Sequence, residues 1–276
     1  MDSKYTSVSR PSVYGAAIGY TYMPMRAFCL RVAVFLHVSA TILSLAALLT
    51  YVRTENLAGA YTAGLSAIIT FVAAYHYHAI LKVRTQPTLG KDGAVLSDRD
   101  EELEVDGLRH SDWLVTLPLL VLKLYAVIGN SSQDLIFNNP ELSALMAMLM
   151  ILFGAIARLA LDWGLPYSEM GDWQRWWVFL CYIVSIALLS VLILDLGNAT
   201  SGSAAPSIMW SFFLVWIGYP IVAIGSFFAR SRVDAGSSAW MSFCKDLAYV
   251  FLDTWSKAVF AWWTASRCFG INFLGV

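Results

Sequence analysis

The chain has 276 residues, of which 58% are hydrophobic and only 13% charged, and its mean hydropathy is +0.63. A soluble globular domain carries about 25% charged residues, so this composition excludes an ordinary soluble domain. A net charge of −1 offers no electrostatic footprint for nucleic acid. The four scattered cysteines, Cys29, Cys181, Cys244 and Cys268, form no CxxC and read as buried thiols, with no metal site. The absence of GxGxxG, Walker and HExxH patterns argues against an enzyme.

In chain order, residues 1–25 are polar and aromatic, without the charged-then-apolar pattern of a signal peptide. They read as an exposed N-terminal arm that ends near residue 29. Seven apolar segments follow at 30–52, 57–82, 107–129, 141–162, 174–196, 206–229 and 246–270. Each is long enough to cross a hydrocarbon core at about 20 residues. Lipid offers the backbone no hydrogen-bond partners, so the expected fold is an all-α membrane protein, a bundle of seven transmembrane helices over residues 30–270. A tight Arg53-Thr54-Glu55-Asn56 turn joins the first two spans. The long loop 83–106 is rich in Asp, Glu and Gly, and Asn198-Ala199-Thr200-Ser201-Gly202-Ser203 reads as a flexible link. The tail 271–276 ends on an apolar stretch that is expected to be a possible truncation point.

Charges inside spans are costly and point to function. The third span holds Arg109, Asp112 and Lys123, and the seventh holds Asp253 and Lys257. Asp253 and Lys257 are four apart and share a helix face. An intrahelical ion pair is one reading; a lysine used for a Schiff base to an aldehyde, with Asp253 and Asp112 as counterions, is the other. Asp112, Thr116 and Lys123 lie on one stripe of the third span. Eleven residues put Lys123 about 16 Å from Asp112 along the axis, the layout of a relay across a membrane. Trp216, Tyr219 and Pro220 in the sixth span can wall a pocket beside a proline kink.

These residues resemble the microbial (type 1) rhodopsins. Arg109-His110-Ser111-Asp112-Trp113-Leu114-Val115-Thr116-Leu117-Pro118-Leu119-Leu120 is similar to the R-x-x-D-W-x-x-T-x-P-L-L signature of bacteriorhodopsin and proteorhodopsin. Asp253-Thr254-Trp255-Ser256-Lys257 and Trp216-Ile217-Gly218-Tyr219-Pro220 resemble the D-x-x-x-K and W-x-x-Y-P motifs, in the same order and over all seven spans. The resemblance implies all-trans retinal on Lys257 as a protonated Schiff base. It implies Asp112 as counterion and first proton acceptor, Asp253 as the second carboxylate, Arg109 as a switchable cation and Thr116 bonded to Asp112. Trp113, Trp216 and Tyr219 would sandwich the polyene, with Leu117, Leu120, Pro220 and Ser256 in the pocket and Met150, Gly154 and Trp177 at the ring end. His76 resembles the histidine that bonds the acceptor in proteorhodopsin; a structural histidine is the alternative, and His37 and His78 read as structural.

Lys123 departs from the family pattern, which usually has Asp or Glu as internal proton donor there. A desolvated lysine can lose its proton readily enough to donate; otherwise Lys123 snorkels to the interface. Trp255 is unusual, and carboxylates for proton release are not evident in 230–246. The Lys and Arg count favours the N-terminus inside, whereas the motifs imply the N-terminus outside, in a plasma membrane; the motif-based orientation is adopted. The expected function is a light-driven outward proton pump. The alternative is a light-gated channel or the light-sensing module of a larger, for example bestrophin-fused, assembly. Expected partners are the lipid bilayer, protons, further copies in a homo-oligomer (trimer or pentamer) and a fused or associated effector.

Overall fold

The structure, a computed structural model, describes residues 13–86, 98–128, 139–163, 171–200, 206–230 and 235–270. The helices are α1 (Val13–Arg53), α2 (Leu57–Thr85), α3 (Asp98–Ile128), α4 (Pro140–Trp163), α5 (Asp172–Thr200) and α6 (Pro206–Arg230). The seventh rod is α7 (Ala235–Asp253), a π turn (Thr254–Val259) and α8 (Phe260–Cys268). Each helix packs on its sequence neighbour, and the seventh rod packs on α1, which closes the ring. Among the described residues, five helices are long and apolar enough to span a membrane, and α6 adds a shorter apolar stretch, Trp210–Gly225.

Local chemistry sets several ends. Asn56 turns the chain after Glu55 (φ 57°) and accepts from Gly59 N at 2.9 Å, filling one orphan donor at the start of α2. Pro140 opens α4 at a position where its missing N–H is harmless, and Asn139 accepts from Leu142 N at 3.0 Å. The main core lies between α3, α4, α5, α6 and α8, built on Leu120, Leu124, Leu192, Phe212, Phe260 and Trp263.

The rods are longer than the apolar segments. α1 begins at Val13, so residues 13–29 are helical rather than a free arm. α3 begins at Asp98 and takes in the acidic half of the expected loop; α7 starts at Ala235, well before 246. The reason is charge pairing. Glu101, Glu102 and Asp106 meet Arg84, Arg158 and Lys245 of other helices, so a segment that looks fit only for water is neutralised within the bundle. α5 runs to Thr200, so half of the expected flexible link is helical. Residues 1–12, 87–97, 201–205 and 271–276, and the Asn130-Ser131-Ser132 sequon, lie outside the described residues.

Candidate functional site

The π turn lies where Lys257 does. A π turn adds one residue to a helical turn and so resets which way the following side chains face by about 100°. Lys257 is 4% exposed. Its Nζ forms an ion pair with Asp112 Oδ2 and lies 3.1 Å from Asp253 Oδ1. α3 and the seventh rod thus each deliver one acid to one buried amine.

The two acids are not equivalent. Asp253 accepts from Tyr77 Oη at 2.7 Å, Tyr219 Oη at 2.7 Å and Trp113 Nε1 at 3.1 Å. Asp112 has the Lys257 contact, and its buried Oδ1 has no partner among the described residues. Ser256 Oγ lies 3.2 Å from Tyr219 Oη, which ties the residue before the lysine to α6.

A cavity begins at Lys257 and runs between α3, α4, α5, α6 and α7, with about 1040 Å³ of free space including its mouth. Trp113, Trp216 and Tyr219 wall it, Thr116, Leu117, Leu120, Pro220 and Ser256 line it, and Met150 and Gly154 lie on its α4 side. Gly154 leaves room there: a Cβ on it would meet Ser185 Oγ at 3.3 Å. Apolar aromatic walls, the buried primary amine of Lys257 and an acid with an unfilled oxygen beside it fit an elongated apolar aldehyde held at one end.

Several sequence expectations are corrected. Trp177 does not line the cavity; it is 45% exposed and stacks on Trp173. On α5 the cavity is lined by Tyr182, Ser185 and Leu189. Five positions turn a helix by about 140° net, so Trp177 faces outward when Tyr182 faces in. The bond from Thr116 to Asp112 runs through the backbone: Thr116 Oγ1 donates to the Asp112 carbonyl at 2.9 Å, so its side chain satisfies its own helix. His76 Nδ1 is engaged by Val72 O at 2.9 Å, and it makes no hydrogen bond to Asp112 among the described residues.

Arg109 is also placed differently. It pairs with Asp106 at 3.1 Å and with Asp246, with its guanidinium 4.7 Å from the Tyr249 ring centroid. It forms no ion pair with Asp112 or Asp253 among the described residues. Lys123 does not snorkel: it is 1% exposed, with Nζ 3.8 Å from the Phe260 ring centroid. Trp255 packs against the main core, and its Nε1 lies 3.3 Å from Ser211 Oγ, which accounts for a large residue there as an α6 contact.

Other residues went unread in the sequence. Tyr77 and Tyr249 lie against Asp253 and Arg109; Tyr77 sits beside His76, but nothing in its spacing marks it. Asp195 is fully buried and is bonded by Tyr125 and by Ser143 at 3.3 Å, which joins α3, α4 and α5. The largest omission is a charge network near the α2–α3 connection. Asp246 binds Arg26 at 3.3 Å, Arg84 at 3.1 Å and Arg109. Asp106 binds Arg109, Arg158 and Lys245, and Glu102 binds Arg84 and Lys245. A carboxylate in an apolar span is the visible signal, but its partners are far away in sequence.

A closed ring of seven rods with a lysine between two acids at the end of an aromatic cavity defines a retinal protein of the rhodopsin type. The sequence profile of the family described as Bacteriorhodopsin-like protein matches residues 30–266. The chain belongs to that family. It is an integral, multi-pass membrane protein that binds retinal. Among solved structures, the light-driven ion pump xanthorhodopsin matches with a TM-score of 0.58 at 20% identity, over 88% of this chain and 97% of that one. The light-driven proton pump LR (Mac) from Leptosphaeria maculans matches with a TM-score of 0.58 at 22% identity, over 89% and 96%. The viral rhodopsin OLPVRII matches with a TM-score of 0.60 at 16% identity, over 88% and 97%. At these identities the likeness is one of fold. No curated protein matches the chain by sequence.

Proposed function

We propose that the protein is a light-driven outward proton pump in which Lys257 carries retinal and Asp112 is the first proton acceptor. The observation that carries this reading is the unequal hydration substitute around the two acids. Asp253 accepts three hydrogen bonds from Tyr77, Tyr219 and Trp113, all of which favour its charged form. Asp112 has an unfilled Oδ1 and a direct contact to Lys257, so a proton leaving Nζ has its place there.

Retinal supplies light absorption and a light-driven change of shape that alters what Lys257 Nζ faces. The chain's residues do the rest. Trp113, Trp216 and Tyr219 confine the polyene, with Leu117, Leu120, Met150, Gly154, Pro220 and Ser256 filling the walls. Asp253 stays ionised and balances the charge at Lys257. Asp112 takes the proton, and Arg109 together with the charge network lies on the route to the α2–α3 side. Lys123, fully desolvated over Phe260, returns a proton to Lys257 from the opposite side. This reading puts the N-terminus and the charge network outside, in a plasma membrane, with the copies associated as a trimer or pentamer.

The test is the light-induced pH change in a suspension of retinal-supplied cells. Acidification that a protonophore abolishes is expected. No pH change from a coloured, well-expressed protein would refute the pump. A second reading, a light-gated channel or a light-sensing module of a larger assembly, draws on Lys123, an amine where a donor carboxylate is usual. A photocurrent that reverses with voltage would favour it.

A further inference from the structure

The cavity has a second, charged end, where the reading above names no group that holds the released proton. Asp106, Arg109, His110, Arg158 and Lys245 line the same cavity as Lys257. This group lies toward the α2–α3 side of the cavity. The carboxylates here are poor places for it. Asp106 is held by Arg109 at 3.1 Å, Arg158 at 2.8 Å and Lys245 at 3.0 Å. Asp246 and Glu102 are each held by at least two cations. An acid so surrounded stays a carboxylate.

His110 differs. Its Nδ1 lies 2.7 Å from Asp106 O. A carbonyl only accepts, so the neutral ring carries its proton on Nδ1 and presents a bare lone pair at Nε2. Nε2 makes no hydrogen bond among the described residues. The ring sits edge-on to Trp113 with centroids 5.2 Å apart, and Trp113 is the residue that donates to Asp253. His110 therefore lines the cavity one helical turn from Trp113 and one residue from Arg109.

We infer that His110 Nε2 is the proton-release group: it takes the proton that leaves Asp112 and passes it to the α2–α3 side. The O–H bond at Asp112 breaks, an N–H bond forms at Nε2, and that bond breaks again as the proton goes to the medium; nothing is oxidised or reduced. The groups facing the ring set how long the proton stays. Asp106 of α3 attracts it. Arg109 of α3, Arg158 of α4 and Lys245 of α7 repel it, and Tyr182 of α5 and Tyr249 of α7 are neutral. Three cations against one acid make the stay short, which suits release. The inference rests on the assignment of Asp112 as acceptor in the pump reading.

The experiment follows flash-excited, retinal-loaded protein in lipid nanodiscs. A pH-indicator dye reports the proton in the medium, and visible absorbance reports the loss of the Lys257 proton. In His110→Gln, which keeps a donor for Asp106 O, loss of the Lys257 proton is expected at the wild-type rate. Proton appearance is expected to be delayed on the order of 100-fold, and added imidazole should restore it. A packing role would move the colour and would not respond to imidazole. Release at the wild-type time in His110→Gln, or no prompt release from the wild type, would overturn the inference. If His110→Gln takes up no colour, time-resolved infrared spectroscopy of ring-¹⁵N-histidine-labelled wild type decides: no transient imidazolium signal between loss of the Lys257 proton and appearance of the proton in the medium overturns it. The dye reads release whether or not net transport occurs. Prompt, His110-dependent release without cell acidification would therefore sink the pump and keep the inference.

Discussion

Asp246 is the centre of the charge network, and replacing it by Asn tests whether that network is dry. The Asp246 side chain is 2% exposed, as are those of Arg84 and Arg109. At 3.1 Å from Arg84 and 3.3 Å from Arg26, each attraction is about 5 kcal/mol at an effective dielectric of 20. Most of that offsets the desolvation of the ions. What remains visible is the cost of leaving guanidinium groups buried with one acid too few, about 3–5 kcal/mol. Asn keeps the shape and removes the charge, so packing is not the variable. Unfolding of the reconstituted protein, followed by loss of visible colour against denaturant, measures it. Arg84→Gln in the same background should restore part of the loss, with a coupling of about 0.5–3 kcal/mol. A loss of less than about 1 kcal/mol, the value of a solvent-screened surface pair, would refute the reasoning and mean that water enters the network.

Lys257→Ala removes the amine that lies between Asp112 and Asp253, and visible absorption should vanish; retained colour would place retinal elsewhere. Asp112→Asn should shift absorption to the red and stop net proton transport, and an unshifted spectrum would make Asp253 the principal counterion. Tyr77→Phe deletes a 2.7 Å hydrogen bond to a buried carboxylate and should destabilise the coloured state by about 1.5–3 kcal/mol, read from the same denaturant curves; no change would mean that the bond contributes nothing to stability. Lys123→Ala should slow recovery of the ground-state absorbance after a flash, and recovery at the wild-type rate would remove Lys123 from the relay.

The architecture and the two acids beside the lysine were legible in the sequence. Apolar runs of spanning length force helices, because lipid leaves backbone groups nothing else to bond. Asp253 and Lys257 share a face by spacing alone. The family motifs carried Asp112 to the same place, the pocket residues of α3 and α6 are local to those motifs, and Met150 and Gly154 of α4 came with the resemblance. Register on α5 was not legible. Its apolar residues run all round the helix, so nothing in the pattern distinguishes Trp177, which faces outward, from Tyr182 and Ser185, which face the cavity.

How the charges are shared was not legible there, because it depends on which rods pack together. Asp253 is bonded by a tyrosine 176 positions away. Arg109 turns to Asp246, 137 positions away, rather than to the acids beside Lys257. Lys245 reaches Asp106 across 139 positions. A helical period tells which residues share a face, but not which face of another rod lies opposite. The electrostatics of a buried site depend on that second fact, since a charge excluded from water takes its stability from whichever partner the packing brings within reach.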